Sequence, residues 1–202
     1  MADTITLRLE EPADYKGIEQ LTYAAFRTVE LPGRTRCDEH YLAHILRTHP
    51  DFVPELDYVA LDGERLVGNI MYAKSGIRLA GGDAVLEEGI LTFGPLSVLP
   101  AMQGRGIGAL LVQHTLEKAT MLGYKAVIIF GHPTYYARFG FENAIKYGIT
   151  TGDGQNFDAF MAKELVPGGL TGLVGTFALS SAYEIEDDKF ETYTQNLKIR
   201  CQ

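Results

Sequence analysis

Three glycines stand at alternate positions where a helix is about to begin. They are Gly104, Gly106 and Gly108 in VLPAMQGRGIGALLVQHTLEKA, with Arg105 among them. Glycine inside a helix costs about 1 kcal/mol relative to alanine, and a short turn needs one glycine rather than three. An anion cradle uses all three. The first N–H groups of a helix lack acceptors within it and lie at the positive end of its dipole. With no Cβ in the way, a phosphate can reach those N–H groups. Arg105 adds a charge-assisted donor. The spacing predicts phosphate binding at the start of this helix.

Two common phosphate binders do not fit. No Gly-Lys-Ser/Thr follows, which excludes a P-loop. Against the dinucleotide fingerprint the third glycine is one position early, and the next strand, KAVIIFGH, ends without an acidic residue.

The stretch resembles the acyl-CoA pyrophosphate loop of the GNAT N-acetyltransferase superfamily, Gln/Arg-x-x-Gly-x-Gly/Ala after a strand that ends in Val-x-Pro. Val98, Pro100, Gln103, Gly106 and Gly108 match it. Downstream, YYARFGF from Tyr135 to Phe141 looks like the Tyr-x-x-x-Gly-Phe element of the same superfamily. Together the motifs look most like the bacterial members of the YhbS type, over roughly Thr4 to Leu165. The resemblance implies an α+β, GNAT-like acyl-CoA N-acyltransferase fold. Its central sheet would be mostly antiparallel, with a parallel pair at the cofactor cleft and helices on both faces. It implies acetyl-CoA as co-substrate and no metal. The backbone of Leu96, Ser97 and Val98 would pair with the pantetheine arm, as in strand addition. The loop of Gln103, Gly104, Arg105, Gly106, Ile107, Gly108 and Ala109 would hold the pyrophosphate.

By the same resemblance Tyr136 stands where the superfamily often has a general acid. A phenol with a pKa near 10 can protonate a departing thiolate. The competing reading is a ring that only packs. The attacking amine must be neutral, so a base or desolvation has to help. Glu87, Glu88 and His132 are the candidate bases, or a water chain serves instead. Strand alternation puts the two glutamates on opposite faces, so at most one points into a site. The chain departs from the commoner pattern at Gly131-His132-Pro133, where many members have Asn and Ala, and its helix there looks shorter.

These residues need elements to position them. TITLRLE alternates as a strand. EPADYKGIEQLTYAAF and CDEHYLAHILRTHP read as helices, the second closed by Pro50. Asp62-Gly63 turns a hairpin. AVLEEGILTFGPLSVLP is a long strand interrupted at Gly94-Pro95, as at a bulge. After the glycine-led helix, which Gly123 should stop, come the strand KAVIIF, the short helix PTYYARF, and the strands AIKYGIT and NFDAFMAKEL. The expected order is β-α-α-β-β-β-α-β-α-β-β. Residues 1–165 are expected as one domain. Residues 166–202 are expected as a C-terminal extension packed on it, an extra hairpin or an irregular tail.

The chain has 202 residues and a net charge of -8, which argues against a general nucleic-acid binder. Two cysteines, Cys37 and Cys201, lack metal-ligand spacing and lie near no motif. With no signal-like start and no long apolar run, a cytoplasmic location is expected, without a membrane partner. A monomer or homodimer fits equally. The leading expectation is acetyl transfer to a primary amine by direct attack on the thioester. Its rival is a non-catalytic acyl-CoA-binding or sensing module on the same fold. The acceptor pocket is expected around TVELPGRTRCDEH, where Asp38 and Glu39 either attract an amine or cap a helix.

Overall fold

The structure is a computed structural model that describes residues 5–27, 37–82 and 85–196. The elements, in chain order, are β1 (Ile5–Leu9), α1 (Tyr15–Phe26), α2 (Glu39–Leu46), β2 (Tyr58–Asp62), β3 (Arg65–Leu79), β4 (Val85–Val98), α3 (Ile107–Met121), β5 (Ala126–Phe130), α4 (Pro133–Tyr136), β6 (Glu142–Asn143), β7 (Ile149–Thr150), β8 (Phe160–Glu164), β9 (Gly175–Ala178) and α5 (Asp187–Asn196). The chain forms two compact units, and β3, β4 and α3 each contribute to both.

The first unit comprises residues 1–71, 94–111 and 182–202. In it β1 pairs antiparallel with β2, and β2 with the first half of β3 around the Asp62-Gly63 turn. The alternation of the first strand sets this register, with Leu7 opposite Ala60. Ile18 of α1 packs with Val59 and Leu61 in the core. Arg47, just past α2, is buried against two carboxylates. It donates to both oxygens of Glu10, at 2.7 and 2.8 Å, and to Glu19 at 2.8 Å. Removing one partner from such a group strands a buried charge, so it fixes how α1 and α2 meet the sheet. Beside it Asp57 is buried, and its carboxyl pKa is pushed up to about 9 by burial and by Glu10, against the pull of Arg47.

The second unit comprises residues 72–93 and 112–181. Here β4 and β5 form the parallel pair, Ile90 opposite Ala126 and Leu91 opposite Val127. β8 pairs antiparallel with β5 and with β6. β9 lies antiparallel to β3 and parallel to β7. Ile77, Ile90, Ile128, Phe160 and Phe177 make the core. A continuous apolar run such as AVIIF suits a strand flanked on both sides and buried.

Three expectations about elements need correction. AIKYGIT is not one strand: Asn143 accepts a hydrogen bond from Ile145 N at 3.0 Å and starts a 3-10 turn over Ala144–Tyr147. NFDAFMAKEL gives a strand only from Phe160. The extension is neither a hairpin nor an irregular tail. It supplies β9 to the second unit, and α5 to the first. α5 was hidden by its polarity, but Phe190 and Tyr193 fall at helical spacing and both meet α2. No helix among the described residues is long and apolar enough to cross a membrane.

Candidate functional site

The loop after β4 is built by local hydrogen bonds. Leu99 N donates to Val67 O at 2.9 Å and ties the strand end to β3. Pro100–Met102 then makes a 3-10 turn, and Gln103 is extended. Gln103 N donates to Pro100 O at 3.3 Å, and its side-chain amide donates to Val98 O at 3.1 Å. Gln103 thus fastens the loop to the strand. Its own N–H, expected to face the phosphate, is engaged within the turn.

Gly104 and Gly106 have φ of +75° and +83°. This left-handed region costs other residues about 1–2 kcal/mol. A Cβ on either would meet nothing within 4 Å, so the space beside both is open. Leu110 N donates to Gly106 O, which makes Gly106 the residue before the first helical turn. The N–H groups of Ile107, Gly108 and Ala109 have no acceptor within α3. Gly104, Arg105 and Gly106 are exposed, while Ile107 and Gly108 are buried. The buried pair anchors the helix start, and the exposed trio leaves its backbone open to solvent. Open left-handed glycines at a helix start fit a pyrophosphate.

The strand before the loop is fixed from behind. Ser97 Oγ donates to Thr22 Oγ1 at 3.1 Å, and Thr22 lies 3.4 Å from Asn69 Oδ1. All three are buried. The Ser97 side chain is therefore structural, held between β4 and α1. Sequence reasoning missed Gly68 of β3. A Cβ there would be 3.0 Å from Ser97 O and 3.2 Å from both Ile107 and Leu111, so a larger residue would push on β4 and α3 where they close on β3. A glycine inside a strand was the available signal.

In the second unit α4 is one turn long, with Pro133 at its first position, followed by a 3-10 turn over Ala137–Phe139. The Tyr136 ring lies directly on Gly131, where a Cβ would be 2.3 Å from it. Phe93 and Phe141 stand 5.7 and 5.8 Å from its centroid. Burial among these rings, with Tyr135 beside it, pushes its hydroxyl pKa well above the usual phenol value. Its hydroxyl has no hydrogen-bond partner among the described residues. Such a hydroxyl stays protonated at neutral pH and can act as a donor. Tyr135 instead carries the Arg138 guanidinium on its ring face, at 4.8 Å.

The candidate bases are not distinguished. Glu88 is exposed on β4, and the Glu87 side chain lies outside the described residues. His132 is exposed, with Nδ1 2.9 Å from Thr134 Oγ1. Asp38 precedes α2 without a side-chain capping bond. Most of the expected acceptor loop, residues 28–36, lies outside the described residues. No cluster of metal-ligating side chains occurs among the described residues.

Comparison with known proteins bears on the fold. Residues 55–143 match the family model described as acetyltransferase (GNAT) domain. The uncharacterized N-acetyltransferase YhbS of Escherichia coli is 29% identical over 170 residues, covering 84% of this chain and 92% of that protein. The crystal structure of Escherichia coli YhbS in complex with CoA superposes with a TM-score of 0.78 at 26% identity, covering 92% of this chain and 94% of that one. A GNAT family acetyltransferase from Brucella melitensis, in complex with acetyl-CoA, gives 0.69 at 28% identity, covering 90% and 99%. The chain therefore has the GNAT acetyltransferase fold, with the family's domain on residues 55–143 and a likeness to YhbS over most of its length.

Proposed function

We propose that this protein transfers an acetyl group from acetyl-CoA to a primary amine of a small molecule, amino acid or peptide. The observation that carries the reading is the pair of open, left-handed glycines flanking Arg105 at the start of α3. The relatives whose structures contain CoA and acetyl-CoA support the choice of ligand.

In this reading Gly104–Ala109 hold the pyrophosphate with backbone N–H groups and the Arg105 guanidinium. Leu96–Val98 take the pantetheine arm as an added strand. Bound acetyl-CoA supplies a thioester, whose carbonyl carbon the amine attacks directly as the C–S bond breaks. Neither cysteine lies near a motif to carry an acyl intermediate. The Tyr136 hydroxyl donates its proton toward the departing sulfur, a role supported by its motif position; its raised pKa supports only that the proton is present at neutral pH. The proton lost by the amine goes to Glu88, Glu87, His132 or water. The test is release of free thiol from acetyl-CoA across a panel of amines, alongside calorimetric binding. Binding with amine-dependent thiol release is expected. Binding without release from any amine would favour the sensing module, and no binding would overturn the reading.

A further inference from the structure

A strand that leaves its ladder must find other partners for its backbone groups. β4 pairs with β5 at Ile90 and Leu91. Three residues further on, the Gly94 carbonyl accepts a hydrogen bond from the Tyr183 hydroxyl at 3.1 Å. Residue 95 is proline and brings no N–H, so this carbonyl is the only hydrogen-bonding group of its peptide unit. The Tyr183 ring follows the same backbone: a Cβ on Gly94 would stand 3.7 Å from Cε1. Immediately after this peptide come Leu96, Ser97 and Val98.

The segment that delivers Tyr183 is anchored on both sides of it. Ala182 is buried. Beyond it, α5 sets Tyr193 against Tyr41 and His44, with ring centroids 5.0 and 4.4 Å apart. Thr194 Oγ1 lies 3.3 Å from His40 Nε2. A hydroxyl held this way controls the peptide it binds, because neither end of its segment is free to follow a drifting strand.

We propose that Tyr183 is a positioning residue for the pantetheine-binding part of β4. Its hydroxyl holds the Gly94 carbonyl, and so keeps the edge at Leu96–Val98 in the form that receives the arm of acetyl-CoA. The proposal rests on the reading that this strand binds acetyl-CoA. It gives the C-terminal segment a part in the site, although that segment carries no family motif.

The experiment is calorimetric titration of the full chain and its Tyr183→Phe variant with two ligands. One is acetyl-CoA. The other is the nucleotide half of coenzyme A, which keeps the pyrophosphate and lacks pantetheine. Losing one hydrogen bond should weaken acetyl-CoA about three- to tenfold and leave the nucleotide half within twofold of the parent. A residue that only supported the fold would shift both ligands together, and that result overturns the proposal. Parent-like binding of both ligands also overturns it, with the acetyl-CoA reading intact. A parent chain that fails to bind acetyl-CoA overturns the reading and the proposal at once.

Discussion

Replacing Gly106 with glutamate places an anion where the cradle is expected to hold one. The cost has two parts. The backbone there has φ of +83°, and forcing a side chain into that region costs about 1–2 kcal/mol of folding stability. No steric clash adds to this, because a Cβ would meet nothing within 4 Å. The second part falls on the ligand. A carboxylate about 5 Å from a phosphate charge repels it by about 0.8 kcal/mol in water, and by about 3 kcal/mol at the effective dielectric of a protein surface. Gly106 is exposed, so the lower half of that range applies, about 0.8–2 kcal/mol, and a loss of about four- to thirtyfold in acetyl-CoA affinity is expected.

Strain and repulsion are separable, because Gly63 offers a matched control. It turns the β2–β3 hairpin at φ of +62°, again with nothing within 4 Å of a Cβ. Gly63→Glu and Gly106→Glu should lower the melting temperature by similar amounts. Only the second should weaken acetyl-CoA in calorimetric titrations, and high salt should narrow the difference. Unchanged affinity in Gly106→Glu, or an equal loss in Gly63→Glu, would refute the assignment of this loop to the phosphates.

Tyr136→Phe keeps the ring on Gly131 and removes the hydroxyl, so turnover should drop by about 100-fold or more while acetyl-CoA affinity stays within threefold. Its raised pKa keeps the parent hydroxyl protonated from pH 6 to 9, so this residue should cause no alkaline loss of activity in that range. Parent-like turnover would return Tyr136 to packing. Asp57, with its pKa pushed up to about 9, holds a proton that the unfolded chain releases above about pH 4. Its contribution to stability is therefore lost as pH rises between about 4 and 9, by at most about 1.4 kcal/mol per pH unit. Urea melts from pH 5 to 8 should show a slope that shifts upward in Asp57→Asn, and an unchanged slope would contradict the assignment. His40 acts in the opposite direction: burial lowers its pKa to about 4. Its neutral form supports the fold above about pH 6.5, and that support fades as pH falls toward 4. The melting temperature should drop more between pH 7 and 5 in the parent than in His40→Phe, and equal drops would remove His40 as the cause.

The features legible in the sequence are those that local chemistry specifies. The glycine run at Gly104 and Gly106 marked an unusual backbone, and the two conformations they adopt are ones other side chains avoid. Asp62-Gly63 announced the hairpin, and Gly131-His132-Pro133 the short α4. What stayed hidden depends on partners far apart in the chain. Thr22, Asn69 and Ser97 make one buried chain of hydroxyls and amide, yet each alone reads as an ordinary polar residue. Arg47 gains its role only once Glu10 and Glu19 are beside it. Tyr183 reaches Gly94 across 89 positions, in a stretch with no periodicity to mark it. Periodicity also misled at AIKYGIT, where one side-chain cap from Asn143 outweighs strand propensity.

The docking of α5 on α2 joins residues 154 positions apart, His40 and Thr194. At about 5–20 residues per second of synthesis, roughly 8–30 s separate their appearance on the ribosome. Throughout that interval the face of α2 bearing His40, Tyr41 and His44 has no α5 to cover it. The growing chain thus carries an uncovered aromatic surface after β1, α1 and α2 have been made, of the kind that nascent-chain chaperones bind and that aggregates recruit. Any chain that ends before residue 182 lacks the α5 rings that pack on Tyr41 and His44. Yield in the cell should then depend on α5 more steeply than its contribution to equilibrium stability would suggest.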